Sequence, residues 1–478
     1  MNLAEYCNYD ASGLAALVHD GEVTPRELAD LAAAAVAKVN PSLNAVVGET
    51  IDPLAGGPPA DGPFKGVPFL IKDIALQAVE FPSEFGCRLA AGVKSGIDTW
   101  LMSLFRASGL MLFGRTNIPE AGFNITTESL HHGVCRNPWN LLMSPGGSSG
   151  GAAAAVAAGI VPMAHANDGG GSIRIPAASC GLVGLKPSRG RVSFSPNAGE
   201  GNFGFVQELV VSRSIRDTAT ALDVAAVPAP GDPFVIMRPA VRFAAAAAAA
   251  PKSLRIAWSS EGINGQRAVP EVEAALARTV QLLADLGHTL VEKRPQVPFE
   301  MFTETASIIW PCSIAWLVDA LCQMTGRSRS ADTLEAITLK AYERGKSNDS
   351  SRVVHAMFLL NQMSREVGRF MADTDIYLTP TLPTAGFPLG IYNMNDASVS
   401  LDEWVVKLFG GAARYTGLWN ATGRPAMSLP LFESDGGMPI AMQLVGDAGR
   451  EDLLLSLGSQ LEQALPWSAR RPTVHAAN

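Results

Sequence analysis

A glycine- and serine-rich segment, residues 144–190, constrains this chain more than any other feature. It holds two motifs, Gly146-Gly147-Ser148-Ser149-Gly150-Gly151 and Asn167-Asp168-Gly169-Gly170-Gly171-Ser172-Ile173-Arg174. The alanine-rich residues between the motifs, 152–159, predict a tightly packed helix. Because the glycines lie beside apolar elements and not in a polar tract, a flexible linker is the weaker interpretation.

The glycines of both motifs have a chemical use. Without side chains, they let backbone N–H groups turn inward and approach a ligand closely. Several such groups beside a serine hydroxyl would form an oxyanion hole. A phosphate-binding loop is the rival interpretation, but it needs a Lys-Ser or Lys-Thr pair after its last glycine, and neither motif has one.

A serine nucleophile needs a base, and the sequence offers two candidates. Among the seven histidines, His165 is the plausible one, although a packed or capping role explains it more simply. Lys72 follows the apolar residues 67–71, where a desolvated lysine would lose its charge and become a base. A lysine at a strand end is otherwise an exposed charge. Spacing alone brings neither residue near the serines.

The rest of the sequence predicts an α/β protein. Residues 10–50 indicate two helices, the second starting from a capping box at Thr24. A strand at 66–73, a helix at 98–108 and a strand at 111–117 predict a crossover unit in a sheet covered on both faces. Later strands are expected at 254–258, 376–379 and 438–445, and later helices at 269–286 and 452–465. The alanine run at 244–250, a helix or a surface connector, marks the only obvious seam.

Composition and charge narrow the class of protein. With 47% hydrophobic and 17% charged residues, the chain is typical of a globular enzyme, and its net charge of −8 offers no basic surface for nucleic acid. We expect no membrane span, because the most apolar stretch, residues 152–164, is too short, and no secretory signal. Six scattered cysteines without a C-x-x-C pair predict free thiols, no zinc site and a cytoplasmic location.

The motifs, taken with several other segments, resemble the amidase-signature family over nearly the whole chain. The matching segments are both glycine-rich motifs, Pro176, Cys180-Gly181, Gly184-Leu185-Lys186-Pro187, Gly66-Val67-Pro68 with Lys72-Asp73, Thr116-Asn117 with Glu120, Asn137-Pro138-Trp139-Asn140, and residues 212–217 and 425–430. The resemblance implies a single compact α/β/α domain over residues 1–478, with a large mixed β-sheet flanked by helices. Its N-terminal helices would cover about 1–50 and its signature core about 60–220.

The resemblance also implies a Ser–cis-Ser–Lys triad. On this chain Ser172 would attack the carbonyl carbon, Ser148, behind a cis peptide bond, would pass the proton, and Lys72 would receive it. The implied reaction is hydrolysis of a carboxylic amide through an acyl-enzyme, without a metal ion or organic cofactor.

The loop around the nucleophile has implied roles as well. The family's oxyanion hole corresponds to the backbone N–H groups of Gly169, Gly170, Gly171 and Ser172. Asp168 and Arg174 match positions that support this loop, with an ordinary surface ion pair as the alternative. The chain departs from the family where it has Ala166-Asn167-Asp168 in place of Gly-Thr-Asp, and at Gly169, where many members carry a side chain.

Within the family, residues 449–455 and 464–467 resemble the 6-aminohexanoate cyclic-dimer hydrolases. The expected substrate is a small, weakly charged amide, with a cyclic or linear aminohexanoate-type amide as one candidate. Trp310, Cys312 and Trp316, together with residues 404–415, are candidate pocket walls, and core packing explains them equally well. No nucleic acid or membrane partner is expected, and a homodimer is left open.

Two other functions stay open on the sequence. A glutaminase subunit of a tRNA-dependent amidotransferase would need a partner protein and a path for ammonia. A catalytically silent binding protein on the same scaffold is the other, although the retention of both serines and the lysine argues against it.

Overall fold

The computed structural model describes the whole chain, residues 1–478, as 15 α-helices and 13 β-strands. The helices are Leu3–Tyr6 (α1), Ala11–His19 (α2), Pro25–Leu43 (α3), Trp100–Ala107 (α4), Gly150–Ala157 (α5), Arg174–Cys180 (α6), Ile215–Ala225 (α7), Phe243–Ala248 (α8), Pro270–Asp285 (α9), Phe299–Thr325 (α10), Ala336–Ser347 (α11), Ser350–Met371 (α12), Leu401–Gly410 (α13), Gly417–Ala421 (α14) and Glu451–Ala464 (α15). The strands are Val46–Val47 (β1), Pro68–Lys72 (β2), Met111–Thr116 (β3), Glu128–Ser129 (β4), Gly133–Val134 (β5), Met163–Asp168 (β6), Val183–Lys186 (β7), Gln207–Ser212 (β8), Arg255–Trp258 (β9), Thr289–Glu292 (β10), Ile376–Pro380 (β11), Ala426–Glu433 (β12) and Pro439–Gly446 (β13).

Eight strands form the central sheet, in the order β10-β9-β11-β13-β12-β7-β8-β6. Strands β10, β9 and β11 run parallel to one another, whereas each neighbouring pair from β11 to β6 is antiparallel. The α/β fold with a large mixed sheet and flanking helices is therefore confirmed.

Both faces of this sheet are buried. Met442 and Leu444 of β13 belong to an apolar cluster of 82 residues, whereas Ala441 and Val445 belong to another of 45 residues. Because successive side chains of a strand point to opposite faces, the two clusters lie on opposite sides of the sheet. Helices α7 and α15 contribute to the larger cluster, and α10 to α13 to the smaller one.

The predicted crossover unit forms, but outside the central sheet. Strands β2 and β3 pair in parallel with α4 between them, and β1 adds an antiparallel third strand. This small sheet packs beside the central one, with β2 next to β6. The sequence correctly predicted the local unit, because apolar patterning and length define it. Patterning does not say which sheet a strand joins.

Helix α10 differs from the expectation that no segment is long and apolar enough to span a membrane. It has 27 residues, and its most apolar window has a mean hydropathy of 1.5. By length and composition it qualifies, although 56% of that window is buried inside the protein. Phe302, Ile309 and Val318 are among its side chains in the smaller cluster.

The alanine run that marked a possible seam is a short packed helix. It forms most of α8, where Phe243 and Ala247 are buried in the larger cluster. The helix packs against α7 and α15. Of the two interpretations of this run, the helix is correct.

Candidate active site

Lys72 is the last residue of β2, whose five side chains are all buried. The parallel register with β3 places it opposite Thr116, and its side chain is completely inaccessible to solvent. Burial removes hydration from the ammonium group and lowers the pKa of Lys72 to about 7, although the negative charges of Asp168 and Glu208 oppose this change. At neutral pH much of Lys72 is therefore a free amine.

The Lys72 amine contacts side chains from both glycine-rich motifs. Its Nζ lies 2.7 Å from Ser148 Oγ and 2.6 Å from Asn167 Oδ1. The peptide bond between Gly147 and Ser148 is cis. Gly147 has room for no side chain, because a Cβ there would lie 2.5 Å from the Thr126 carbonyl oxygen. The fold thus supplies the contact between Lys72 and Ser148 that sequence spacing alone could not.

The residue after Lys72 fixes the end of its strand. Asp73 Oδ1 accepts hydrogen bonds from the Glu84 backbone N–H (2.8 Å) and from Arg115 Nη1 (2.6 Å). Its Oδ2 lies 2.9 Å from His132 Nε2. Asp73 and Arg115 are both buried, so this ionic group holds the backbone beside Lys72 in one position.

A group of three side chains near this point has the composition of a metal site. Ligand atoms of Glu84, His131 and His132 lie within 4.8 Å of one another. However, Arg115 Nη2 lies 3.0 Å from Glu84 Oε2, and the arginine is buried. The guanidinium already supplies the positive charge that these groups attract, and it would repel a second cation at this distance. That the protein needs no metal stays a prediction.

The loop before Ser172 is wrapped around the carboxylate of Asp168. Asp168 Oδ1 accepts a hydrogen bond from the Gly171 N–H (2.7 Å), and Asp168 Oδ2 accepts one from the Ile173 N–H (3.2 Å). Arg174 Nε and Nη2 donate to the same carboxylate at 2.8 and 3.0 Å. Burial alone would raise the pKa of Asp168, but the Arg174 charge and its hydrogen bonds hold that pKa below its usual value.

The Asp168–Arg174 pair is therefore not the surface ion pair that the sequence left as an alternative, because both side chains are fully buried. Arg174 Nη1 donates to Gln443 Oε1 at 2.7 Å, and its Nη2 donates to Asn420 Oδ1 at 2.6 Å. The Asn420 amide in turn donates to the Asp168 backbone carbonyl at 2.8 Å. These contacts tie the loop to β13 and α14. With a further bond from Arg174 Nη1 to the Thr416 carbonyl at 3.0 Å, they fill all five donor positions of the guanidinium.

The backbone N–H groups of this loop are not equivalent. Those of Gly169, Gly170 and Ser172 have no acceptor within the protein. The Gly171 N–H differs from the sequence-based prediction, because it donates to Asp168 and is not free to bind an oxyanion. The structure thus narrows the candidate oxyanion hole from four donors to three.

Ser172 and Ser148 occupy similar places in the fold. Each lies two residues before the start of a helix, α6 and α5 respectively, and these two helices pack against each other. Ser172 is 8% exposed and its hydroxyl makes no hydrogen bond within the protein. Ser149 has no exposed surface, and its hydroxyl donates to the Asn167 carbonyl at 3.2 Å. Of these two hydroxyls, only that of Ser172 is open to a substrate.

His165, the other candidate base, is a packed residue. Its Nδ1 lies 3.3 Å from the backbone nitrogen of Lys72 and accepts that N–H. Burial, helped by the charge of Lys72, lowers the pKa of His165 well below its usual value, so the ring stays neutral. It makes no hydrogen bond to either serine, which favours the simpler explanation given for it.

Aromatic side chains lie against the glycines of the loop before Ser172. A Cβ at Gly169 would lie 2.8 Å from the Trp310 ring, and one at Gly170 would lie 3.0 Å from the Phe409 ring. Trp310 stacks on Phe123, with ring centroids 5.6 Å apart. The glycines therefore permit a close approach of large apolar groups, which explains why Gly169 has no side chain here.

The other predicted wall residues have different surroundings. Trp316 is on the same helix as Trp310 but is 72% exposed, so the structure does not bring it to the site. Cys312 is partly buried and lies 3.5 Å from Asn348 Nδ2. Trp404 is completely buried in the smaller cluster, so for this residue core packing is the better explanation.

The structure also places near Lys72 and the loop before Ser172 side chains that the sequence does not reveal. Asn167 contacts Lys72, whereas the sequence marks it only as a departure from the family pattern. Phe123 had no signal at all, because a single aromatic residue in a loop predicts nothing about its neighbours. Glu208 lies in a strand of otherwise mostly apolar residues, and a charge in such a buried strand is the one signal that could have marked it.

Comparison with known proteins places these features in context. A family model described as Amidase matches residues 38–455. The 6-aminohexanoate-cyclic-dimer hydrolase of Paenarthrobacter ureafaciens is 36% identical over 475 residues, which is 97% of this chain and 96% of that protein.

Solved structures give the same picture. The structure of 6-aminohexanoate cyclic dimer hydrolase complexed with substrate matches with a TM-score of 0.92 and 34% identity, covering 98% of this chain and 99% of that one. A bacterial aryl acylamidase of the amidase-signature family matches with a TM-score of 0.84 and 27% identity, covering 96% and 97%.

Proposed function

Because this chain belongs to the amidase family of carbon–nitrogen hydrolases, we propose that it cleaves a carboxylic amide with Ser172 as nucleophile, Ser148 as proton bridge and Lys72 as base. The observation that carries this proposal is the 2.7 Å contact between Lys72 Nζ and Ser148 Oγ. It joins a buried amine of lowered pKa to a serine of the first motif, and the open hydroxyl of Ser172 belongs to the second.

In the proposed first half-reaction, Ser172 Oγ attacks the amide carbonyl carbon. Its proton passes to Ser148 Oγ while the Ser148 proton passes to the Lys72 amine. The carbonyl oxygen gains negative charge, which the free N–H groups of Gly169, Gly170 and Ser172 would stabilise. Collapse of the intermediate breaks the C–N bond. The proton held by Lys72 returns through Ser148 to the leaving amine, which leaves an ester on Ser172.

In the second half-reaction, water attacks the Ser172 ester and loses its proton along the same route. The bond between the acyl carbon and Ser172 Oγ then breaks. Ser172 Oγ takes back a proton, and the carboxylic acid product leaves. Lys72 can accept a proton in both halves only as a free amine, so its burial is a requirement of this mechanism.

The proposed substrate is a small, weakly charged amide, either cyclic or linear and of the aminohexanoate type. Two observations support this class. Trp310, Phe123 and Phe409 give the loop an apolar surround with few polar anchors. The similar proteins of known structure include one that hydrolyses the 6-aminohexanoate cyclic dimer and one that is an aryl acylamidase.

A substrate comparison tests this class directly. We expect uncharged aliphatic or aryl amides to give a higher kcat/KM than glutamine or asparagine, because the aromatic walls offer no partner for an amino acid's two charges. The measurement is initial-rate kinetics over linear and cyclic amides, anilides and free glutamine. A kcat/KM for glutamine above that of every apolar amide would favour an amidotransferase subunit. No hydrolysis of any of them would favour a silent binding protein.

We further propose that the enzyme works in the cytoplasm. All six cysteines are unpaired, and four of them are buried, which suits a reducing compartment.

A further inference from the structure

Beneath Lys72 lies a buried carboxyl group that the proposed mechanism does not use. Glu208 is in β8, and the antiparallel register of β6 and β8 places it directly opposite Asn167. Directly opposed residues of two paired strands project to the same face of the sheet. Since Asn167 reaches Lys72 from that face, the Glu208 side chain lies beside the same unit, and it is 3% exposed.

The orientation of Asn167 links this carboxyl group to the lysine. Asn167 Oδ1 accepts a hydrogen bond from Lys72 Nζ at 2.6 Å. With its oxygen taken by the amine, the amide nitrogen is the end left to interact with the Glu208 carboxyl, an interaction that favours the ionised acid. Asn167 thus contacts Lys72 directly, and Glu208 lies opposite Asn167 in the sheet.

His165 provides a second link between the same two groups. Its Nδ1 accepts the Lys72 backbone N–H, so in the neutral ring the proton is on Nε2. That Nε2 faces Glu208 Oε1 at 3.7 Å. Both atoms are buried and neither has a hydrogen-bond partner. What distinguishes this pair of atoms is its place, because His165 also contacts the backbone of Lys72.

Three titratable groups face the Lys72 amine: Asp168, Glu208 and His165. Asp168 is already neutralised by Arg174, and His165 stays neutral. Glu208 has no cation of its own other than Lys72. It is therefore the group whose ionisation most directly changes the electrostatic environment of the amine.

We propose that Glu208 is a positioning residue that acts on Lys72 through Asn167, and that its ionisation determines the pH range in which Lys72 is a free base. This rests on the proposed function, in which Lys72 accepts the proton. As a neutral acid, Glu208 orients Asn167 without favouring the ammonium form of Lys72. Once ionised, its negative charge favours that form and opposes catalysis.

Burial supports this division of roles. It raises the pKa of Glu208 to about 8, although Asn167 and the charge of Lys72 lower it in part. Lys72 therefore titrates near pH 7 beside an acid that titrates near pH 8. Because the two ionisations are coupled, the rise of kcat/KM with pH in the unaltered enzyme should be broader than that of a single group.

Replacement of Glu208 by glutamine separates shape from charge. Glu208→Gln keeps the size and hydrogen-bonding ends but cannot ionise. We expect the rising limb to narrow to a single ionisation. Its upper part, where ionised Glu208 holds Lys72 as the ammonium ion, should move to lower pH by up to about one unit, the scale for removing one nearby charge inside a protein. Glu208→Leu removes the partner of Asn167, and we expect kcat to fall by at least about tenfold with a smaller change in KM.

Glu462→Gln is the matched control. Glu462 is a largely buried acid on α15 whose pKa is raised to about 7, and its charged neighbours are Asp10, Asp217 and Arg216. In this variant kcat/KM should rise at the same pH as in the unaltered enzyme. A general effect of removing a buried carboxyl group would instead move the limb in both variants, and would overturn the proposal.

Two further outcomes separate this proposal from the proposed function. If Lys72→Ala is inactive while kcat/KM of Glu208→Gln depends on pH as in the unaltered enzyme, the proposed role of Glu208 is wrong and the proposed triad stands. If Lys72→Ala remains active, the proposed base itself is wrong. Should Glu208→Gln fail to fold, the unaltered enzyme still decides, since a limb that fits one simple ionisation contradicts the coupling of Lys72 and Glu208.

Discussion

Lys72→Arg should lower kcat/KM by about 10²–10⁴-fold, the range in which a general base contributes to catalysis. Arginine keeps its positive charge at every accessible pH and cannot accept the proton from Ser148. It could still donate a hydrogen bond, so a residue that served only to stabilise or orient would tolerate the change. Lys72→Ala should lose as much. Near-ultraviolet circular dichroism of both variants checks that they remain folded.

The pH dependence of the unaltered enzyme follows from the same group. Below pH 7 Lys72 is mainly an ammonium ion and inactive as a base, because its pKa in the folded protein is about 7. As the pH rises through that value, the free amine forms and kcat/KM increases, over a range that the ionisation of Glu208 broadens, and then stays high in mildly alkaline buffer. The limb lies more than three units below the ordinary ionisation of lysine, near pH 10.4.

Lys186 provides the control for this assignment. It is also fully buried with a strongly lowered pKa, but its Nζ donates to the Pro187 carbonyl and contacts no serine. Lys186→Met should therefore leave the pH of the rising limb unchanged. Substantial activity in folded Lys72→Arg would show that Lys72 is not the base, and a limb that moved in Lys186→Met would assign the ionisation to the wrong lysine.

Arg174→Leu should reduce the free energy of unfolding by about 3–5 kcal/mol, the cost of removing one partner of a buried ion pair. The substitution leaves the Asp168 carboxylate buried without its cation, and it leaves Gln443 and Asn420 without the donors that hold them. Because Asp168 also holds the Gly171 N–H, the loop before Ser172 should lose its shape and activity should fall with stability.

Urea denaturation followed by fluorescence measures this loss. Arg255→Leu is the control, because it breaks the exposed Arg255–Asp375 pair, in which the arginine side chain is 56% exposed. Exposed pairs contribute about 0–1 kcal/mol, so this variant should unfold nearly as the unaltered protein does. A loss in Arg174→Leu no greater than that in Arg255→Leu would show that the buried network does not support the fold.

Several elements could be predicted from local sequence because local physics decides them. The capping box at Thr24 forms as expected and begins α3. The apolar residues before Lys72 form a buried strand, since a short apolar run in an α/β protein has few other stable positions. The bounds of strand β11 and helix α9 were likewise predicted to within one residue at each end, because local apolar patterning defines both elements.

Other features depend on contacts between distant segments. Helices α10 to α12 were not predicted. Helix α10 is buried on several sides and lacks the one-sided pattern that marks a surface helix, whereas α12 has that pattern and was missed. The engagement of the Gly171 N–H by Asp168 follows from how the loop closes, and composition does not encode that. Glu208 lies opposite Asn167 only because β6 pairs with β8, and these two strands are about 40 residues apart along the chain.

The central claim, that Ser172 is the nucleophile, is tested most directly by trapping the acyl-enzyme. A slow acylating reagent should add the mass of one acyl group, seen by intact-mass measurement, and peptide mapping should place it on Ser172. Ser172→Ala should take up none, and Lys72→Arg should react far more slowly. An adduct on Ser149 or on a cysteine, with Ser172 unmodified in the active enzyme, would contradict the account.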